Sequence, residues 1–415
     1  MSTRKRTAAF LSLALLASAC VLAGDEPLRV GAIYPLSGSQ GPGGVDEHRG
    51  VLLAAELATA DGIAGRPIEV VSIDVAGSDA APGAVARLAE EDVQLVLGSY
   101  GSNISAEAAT ATAERGMLFW ETGAVGMLPT ESRQGELTFR VPPTGGVLGG
   151  SAIGFVLDQL ATRMDLDPAE LRFTIMFIDD TYGRSVALGA AQELARRGLR
   201  FARVGYKVPG FDPVRVARRV ARARTDVLFA AAYVQDGIDV RRELVRQGVD
   251  LVAGIGTSSS YCMPEFGDAL GIDAVGLFAS DKPAAAPLDT GGLAPDAADL
   301  LDRANASYRE RWAEGMSPAA LAGFSGAWAL FAHVLPASPN ASPAAVAAAA
   351  QAAELPLGSL PNGSGLRFAG PGEAGAGDNL RAASVIWEWV SPGHAEVVWP
   401  PAFATHPIEP RDLTP

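Results

Sequence analysis

The chain has 415 residues, 48% apolar and 19% charged, with 47 acidic against 33 basic residues and a formal charge of −14. That length accommodates two or three domains, each with its own core, and the composition is that of a globular protein. The acidic balance argues against nucleic acid or an anionic membrane surface as the partner.

The N-terminus carries Arg4, Lys5 and Arg6, then the apolar stretch from Ala8 to Leu16, then Ala17, Ser18 and Ala19 before Cys20. This is the order of a secretory signal, too short and wrongly flanked for a stable membrane span. Ala17-Ser18-Ala19-Cys20 resembles a bacterial lipobox, although Leu more often stands where Ala17 does. The resemblance implies removal of residues 1–19, a lipid on Cys20 and a mature protein anchored outside the cytoplasmic membrane. Cys262 is the one other cysteine and is expected to be free and buried. No other stretch is expected to reach the ~20 apolar residues of a span.

Residues 20–27 read as a tether. From Leu28 strand and helix alternate: strand 28–34, a glycine-rich loop 35–44, helix 47–60, strand 68–73, helix 82–91, strand 95–98, helix 103–115 and strand 117–120. Such an order predicts a parallel sheet covered on both faces. The pattern restarts after Pro142-Pro143, with helices 145–164, 185–197, 213–223 and 236–247 among strands 173–178, 201–206, 227–230 and 251–255. Arg215, Arg218, Arg219, Arg222 and Arg224 crowd one of these helices. Val216 and Val220 share its other side, so the arginines are expected to form a solvated face. A loop 281–292, helices 296–314, 318–335 and 341–353, a glycine-rich stretch 356–377, aromatic strands 384–390 and 396–399 and a tail 401–415 complete the chain.

Enzyme signatures are missing. The loop Gly38–Gly44 has neither the G-x-G-x-x-G order nor a Walker lysine, and Gly323-Phe324-Ser325-Gly326 lacks the spacing of a nucleophile elbow. His48, His333, His394 and His406 share no metal-like spacing. No catalytic residue, metal or cofactor is expected.

Open parallel sheets bind ligands beyond the carboxyl ends of their strands. Those ends carry Ser37, then Tyr100, Ser102 and Asn103 opening a helix, then Glu121, Gly123 and Ala124. In the second unit they carry Tyr182, Tyr233, Thr257 and Ser258. Hydroxyls, small residues and few charges suit a compact polar solute. A helix N-terminus capped by Ser102 offers a seat for a carboxylate. Trp120, just before Glu121, is expected to sense closure of the cleft.

Residues 28 to about 390 resemble the type I periplasmic-binding family, in its leucine/isoleucine/valine-binding branch. The resemblance rests on Val30-Gly31-Ala32-Ile33-Tyr34-Pro35-Leu36-Ser37-Gly38, on Gly98 with Ser102, on Phe139-Arg140 and on Asp180-Thr181-Tyr182-Gly183. It implies an α/β fold of two Rossmann-like lobes joined by three crossover segments, near 141–145, 280–284 and 355–359. Lobe 1 is expected to comprise 28–142 plus 282–356, and lobe 2 143–281 plus 357–400. Also implied are a small-molecule ligand in the cleft, hinge closure, and delivery to an ABC permease with its ATPase subunits.

By resemblance, Ser102 holds a ligand carboxylate and Gly123 and Ala124 offer backbone contacts. Tyr182 supplies the aromatic of the second lobe, and Tyr233 a hydroxyl near an ammonium. Two positions depart from the family. Val125 stands where its amino-acid binders have Thr, and no acid stands near Gly256-Thr257, for which Glu121 is a substitute. These departures lean the expected ligand towards a carboxylate or amide, with a branched-chain amino acid as the family default. A ligand-sensing receptor of the same fold, without transport, is the alternative reading.

Overall fold

In the computed structural model the described residues are 26–129, 136–411 and 413. The expected signal segment and Cys20 lie outside them. Leu28–Tyr34 (β1), Ile68–Asp74 (β2), Leu95–Gly98 (β3), Leu118–Glu121 (β4) and Thr138–Arg140 (β5) pair in parallel, in the order β2-β1-β3-β4-β5. Helices Gly41–Ala60 (α1), Ala81–Glu90 (α2) and Ser102–Ala113 (α3) connect them. β3 and β4 are buried along their whole length. A parallel sheet covered on both faces requires this, and it explains their unbroken apolar runs.

The second sheet holds Phe173–Ile178 (β6), Phe201–Tyr206 (β7), Val227–Ala231 (β8), Ala253–Thr257 (β9), Phe278–Asp281 (β10), Val385–Ser391 (β11) and His394–Trp399 (β12). Its order is β12-β11-β10-β9-β8-β6-β7, with β11 antiparallel to both neighbours. Gly145–Phe155 (α4), Thr181–Arg196 (α5), Pro213–Arg222 (α6), Val234–Arg246 (α7) and Pro264–Leu270 (α8) belong to this half. β5, β10 and α8 are absent from the sequence reading. At three, four and seven residues they are too short to show a period.

Pro295–Trp312 (α9), Pro318–Trp328 (α10) and Pro343–Ala352 (α11) return to the first sheet. α10 lies tightly on α1. A Cβ on Gly50 would fall 2.0 Å from the Ala320 carbonyl oxygen, and one on Gly323 would fall 2.1 Å from that of Glu47. Contrary to the sequence expectation, Pro318–Ala337 is long and apolar enough to span a membrane. Its α10 part is buried almost throughout in the first core, which accounts for its apolar character.

The chain therefore forms two α/β lobes. Near the third passage between them it departs from the sequence reading. Leu360, Leu366 and Phe368, expected with lobe 2, pack in the core of the first sheet, and the chain joins the second sheet only at Val385. A glycine-rich segment without strand or helix period gives no sign of which sheet it lies against. The end of the chain is no free tail either, because Phe403 and Leu413 are buried in the second core.

Candidate functional site

A cleft of about 1110 Å³ opens between the carboxyl ends of the two sheets. The strand order of both sheets reverses there. β2 and β3 flank β1, and β7 and β8 flank β6. Open α/β sheets take ligands at such reversals.

On the first lobe, Ser37, Tyr100, Ser102 and Gly123 line the cleft. Ser37 is exposed at the rim and donates to Asp74 at 2.6 Å. The Tyr100 ring lies against α1 at Gly43, where a Cβ would fall 2.3 Å from Cζ. Ser102 is the first residue of α3 and not its cap, a position held by Gly101. The N–H groups of this first turn have no acceptor inside the helix, so a seat for an anion remains. The Ser102 hydroxyl accepts from the Gly126 N–H at 3.0 Å. Asn103 does not line the cleft. Its Oδ1 accepts from the Thr181 N–H at 3.4 Å, joining the first turn of α3 to that of α5 across the lobes.

Glu121 cannot stand in for the missing acid. It is fully buried and accepts from the N–H groups of Ser99 (3.0 Å), Gly123 (2.8 Å) and Ala124 (2.7 Å) and from the Ser105 hydroxyl. The backbone donors of Gly123 and Ala124 are spent on this carboxylate, and Ala124 is not among the lining residues. Burial raises the Glu121 carboxyl, as it does that of Glu47, which accepts from the Thr122 hydroxyl at 2.8 Å. Arg140, itself buried, braces the same loop through the carbonyls of Val125 (3.3 Å) and Gly126 (2.5 Å). Trp120 lies in the first core, donates to the Gly326 carbonyl at 2.8 Å and packs on Phe139 and Phe368. It does not reach the cleft.

On the second lobe Tyr182 and Tyr233 stack with ring centroids 5.4 Å apart, and both line the cleft with Ser258. Tyr182 donates to the Ser258 carbonyl and lies 3.0 Å from the Thr257 hydroxyl. Thr257 is fully buried behind it and does not line the cleft. The Tyr233 hydroxyl donates to Asp180 at 2.8 Å, and Asp180 in turn caps α5 through the Gly183 N–H. Burial raises both phenols.

The sequence reading passed over the charges at the end of β10. Ser280 pairs with Thr257 across the sheet, so Asp281 emerges one strand from the position that lacks an acid. Asp281 is buried and lines the cleft. Its Oδ2 accepts from the Cys262 thiol at 2.8 Å, its Oδ1 has no close hydrogen-bond partner among the described residues, and the Ser258 hydroxyl and the backbone N–H of Lys282 also favour its charged form. Burial raises its carboxyl, opposed by the neighbouring Lys282. Lys282, also buried in the cleft wall, donates to the Gly123 carbonyl at 2.9 Å. Cys262, expected to be buried, is free and half-buried in the wall of the cleft. Trp387 and Trp389 of β11 complete a more apolar end. No group of three or more His, Cys, Asp or Glu among the described residues is placed to hold a metal ion.

Comparison with known proteins agrees with this architecture. The family model described as periplasmic binding protein matches residues 27–378. A Leu/Ile/Val-binding protein homolog 8 of Brucella suis is 26% identical over 378 residues, covering 90% of this chain and 91% of that protein. Among solved structures, the leucine-binding protein LivK of Thermotoga maritima superposes with a TM-score of 0.73 at 15% identity, covering 89% of this chain and 97% of that one. A Rhodopseudomonas palustris solute-binding protein in complex with benzoate gives 0.69 at 15% identity, covering 90% and 96%. At these identities the structural likeness speaks to the fold, while the family match spans most of the sequence. This chain belongs to the periplasmic binding protein family.

Proposed function

We propose that this chain is the extracytoplasmic, lipid-anchored solute-binding subunit of an ABC importer. In this reading it closes on a branched-chain or related α-amino acid, hands it to the permease and its ATPase subunits, and catalyses nothing. The observation that carries the ligand class is Asp281. A buried carboxylate in the cleft wall, whose burial the adjacent Lys282 offsets only in part, favours a cationic nitrogen, because buried charge without full compensation is costly. Elsewhere in the cleft wall the first turn of α3 and Ser102 offer donors to a carboxylate. The two together suit a zwitterion better than the simple acid or amide towards which the sequence leaned.

Calorimetry with leucine and its deaminated acid tests the assignment. Leucine is expected to bind at least ten times tighter. Asp281→Asn should weaken leucine roughly 10- to 150-fold, the worth of a charge-assisted bond of ~1.5–3 kcal/mol, and leave the acid almost unchanged. An acid that binds as well as leucine overturns the ligand class. For the anchor, Cys20→Ser should release the protein from the membrane fraction. A variant that stays bound through a high-salt wash rules the anchor out.

A further inference from the structure

Four arginines of α6 share one face of a single helix. Arg215, Arg218, Arg219 and Arg222 fall within about 100° of arc at 3.6 residues per turn, and all four are exposed. Val216, Ala217 and Val220 are buried on the opposite side.

Some exposed arginines pair with acids, as Arg172 does with Asp226, Arg196 with Glu193, Arg303 with Asp61 and Arg311 with Glu56, while Arg87, Arg163, Arg242 and Arg309 stand singly without one among the described residues. Among the described residues, none of the four on α6 lies within ion-pair distance of a carboxylate. Arg215 and Arg219 instead donate to the carbonyls of Gly210 (3.0 Å) and Gly205 (2.7 Å), which leaves their charge uncompensated. Two acids stand nearby. Asp212 is occupied in capping α6, and Glu243 of α7 lies within electrostatic reach of Arg218 but is bound to Arg246 at 2.7 Å. In a chain with 47 acids and 33 bases, four arginines on one arc make a local basic stripe on an acidic molecule.

We infer that this face of α6 rests on an anionic phospholipid surface. The overall charge of −14 opposes such contact only at long range. At physiological salt the Debye length is about 8 Å, so a membrane responds to the face nearest it and not to the whole molecule. The arc presents no large apolar anchor of the kind that carries a protein interface. Planar guanidinium forks suit phosphate oxygens. A lipid-anchored protein would need only weak attraction to lie with this face down, and the inference does not depend on which solute the cleft takes.

The test uses the full chain carrying Cys20→Ser, so that no acyl chain contributes, in flotation with two vesicle types. One is phosphatidylglycerol and phosphatidylethanolamine at roughly 3:7, and the other is phosphatidylcholine alone. Binding is expected on the anionic vesicles only, and is lost as salt rises from about 50 mM to about 0.5 M. Each arginine removed should weaken partition about fivefold, so the Arg215→Gln, Arg218→Gln, Arg219→Gln, Arg222→Gln variant falls several-hundred-fold. A second variant with Gln at Arg172, Arg196, Arg303 and Arg311 has the same net charge and should bind as the parent does. Equal loss in both variants, equal binding to both vesicles, or no binding to either overturns the inference. In the last case an acidic protein surface becomes the partner to seek.

Discussion

The Nζ of Lys282 donates to the carbonyl oxygen of Gly123 across 2.9 Å, tying the segment that leaves β10 to the loop that follows β4. The bond joins the passage between the lobes to the floor of the cleft. Lys282 also acts electrostatically on Glu47 and Asp281, two buried carboxyls that burial raises and its charge lowers. One ammonium thus holds a hinge contact and offsets two buried acids.

Lys282→Met should therefore destabilise the fold by about 3 kcal/mol at pH 8, the cost of leaving buried charge without its partner. At pH 5 the loss should shrink, because the raised carboxyls take up protons instead. Denaturant titration at the two pH values checks this. A loss below ~1 kcal/mol at pH 8 would mean that solvent already screens the cluster.

Glu121 and Ser102 should separate stability from binding. Glu121→Gln sets an amide N–H₂ against backbone donors and should cost about 2 kcal/mol of stability. Ser102→Ala loses a single acceptor for the Gly126 N–H and should cost about 1 kcal/mol, yet weaken the ligand roughly tenfold or more. Thermal melts and calorimetry on both variants give the comparison. Unchanged affinity in Ser102→Ala would remove the carboxylate seat from α3.

Ligand closure should be visible in tryptophan fluorescence, from β11 and not from β4. Trp387 and Trp389 line the cleft, and among the described residues the indole N–H of Trp387 has no partner, whereas Trp120 is bonded inside the first core. A saturable change is expected that survives Trp120→Phe and is largely lost in Trp387→Phe with Trp389→Phe. Small-angle scattering should show a smaller radius of gyration on binding. Confirmed binding at constant radius would contradict hinge closure.

Stability should depend on pH through Glu388, whose carboxyl burial raises from 4.5 to about 7. The folded state then binds more protons than the unfolded one, so this group's contribution to stability falls as pH rises through that window and levels off above it. Glu47 and Glu121 act in the same direction. His48, lowered to about 4 by burial, acts in the opposite direction below pH 6.5. Comparing wild type with Glu388→Gln isolates the one group. The melting-temperature difference should move in favour of wild type on going from pH 8 to pH 5. A difference that does not change with pH would place Glu388 in contact with solvent.

Local sequence determined the two α/β units, because alternating apolar runs and helical periods are set by burial within each unit. Leu28–Tyr34, Phe173–Ile178 and Phe201–Tyr206 begin and end where the sequence puts them. It also placed Tyr100, Ser102, Tyr182, Tyr233 and Ser258 at strand ends, which the tertiary structure brings to one cleft. What each polar group does there was decided only by its neighbours in space. Glu121 is consumed by four donors beneath the loop, and Asn103 and Thr257 are bonded to partners 78 and 75 residues away. Asp281 sits on a four-residue strand with no period of its own. It becomes a cleft acid only because β10 lies against β9, with Ser280 beside Thr257. Burial and pairing between residues far apart in the chain leave no local pattern, so only the folded molecule assigns those roles.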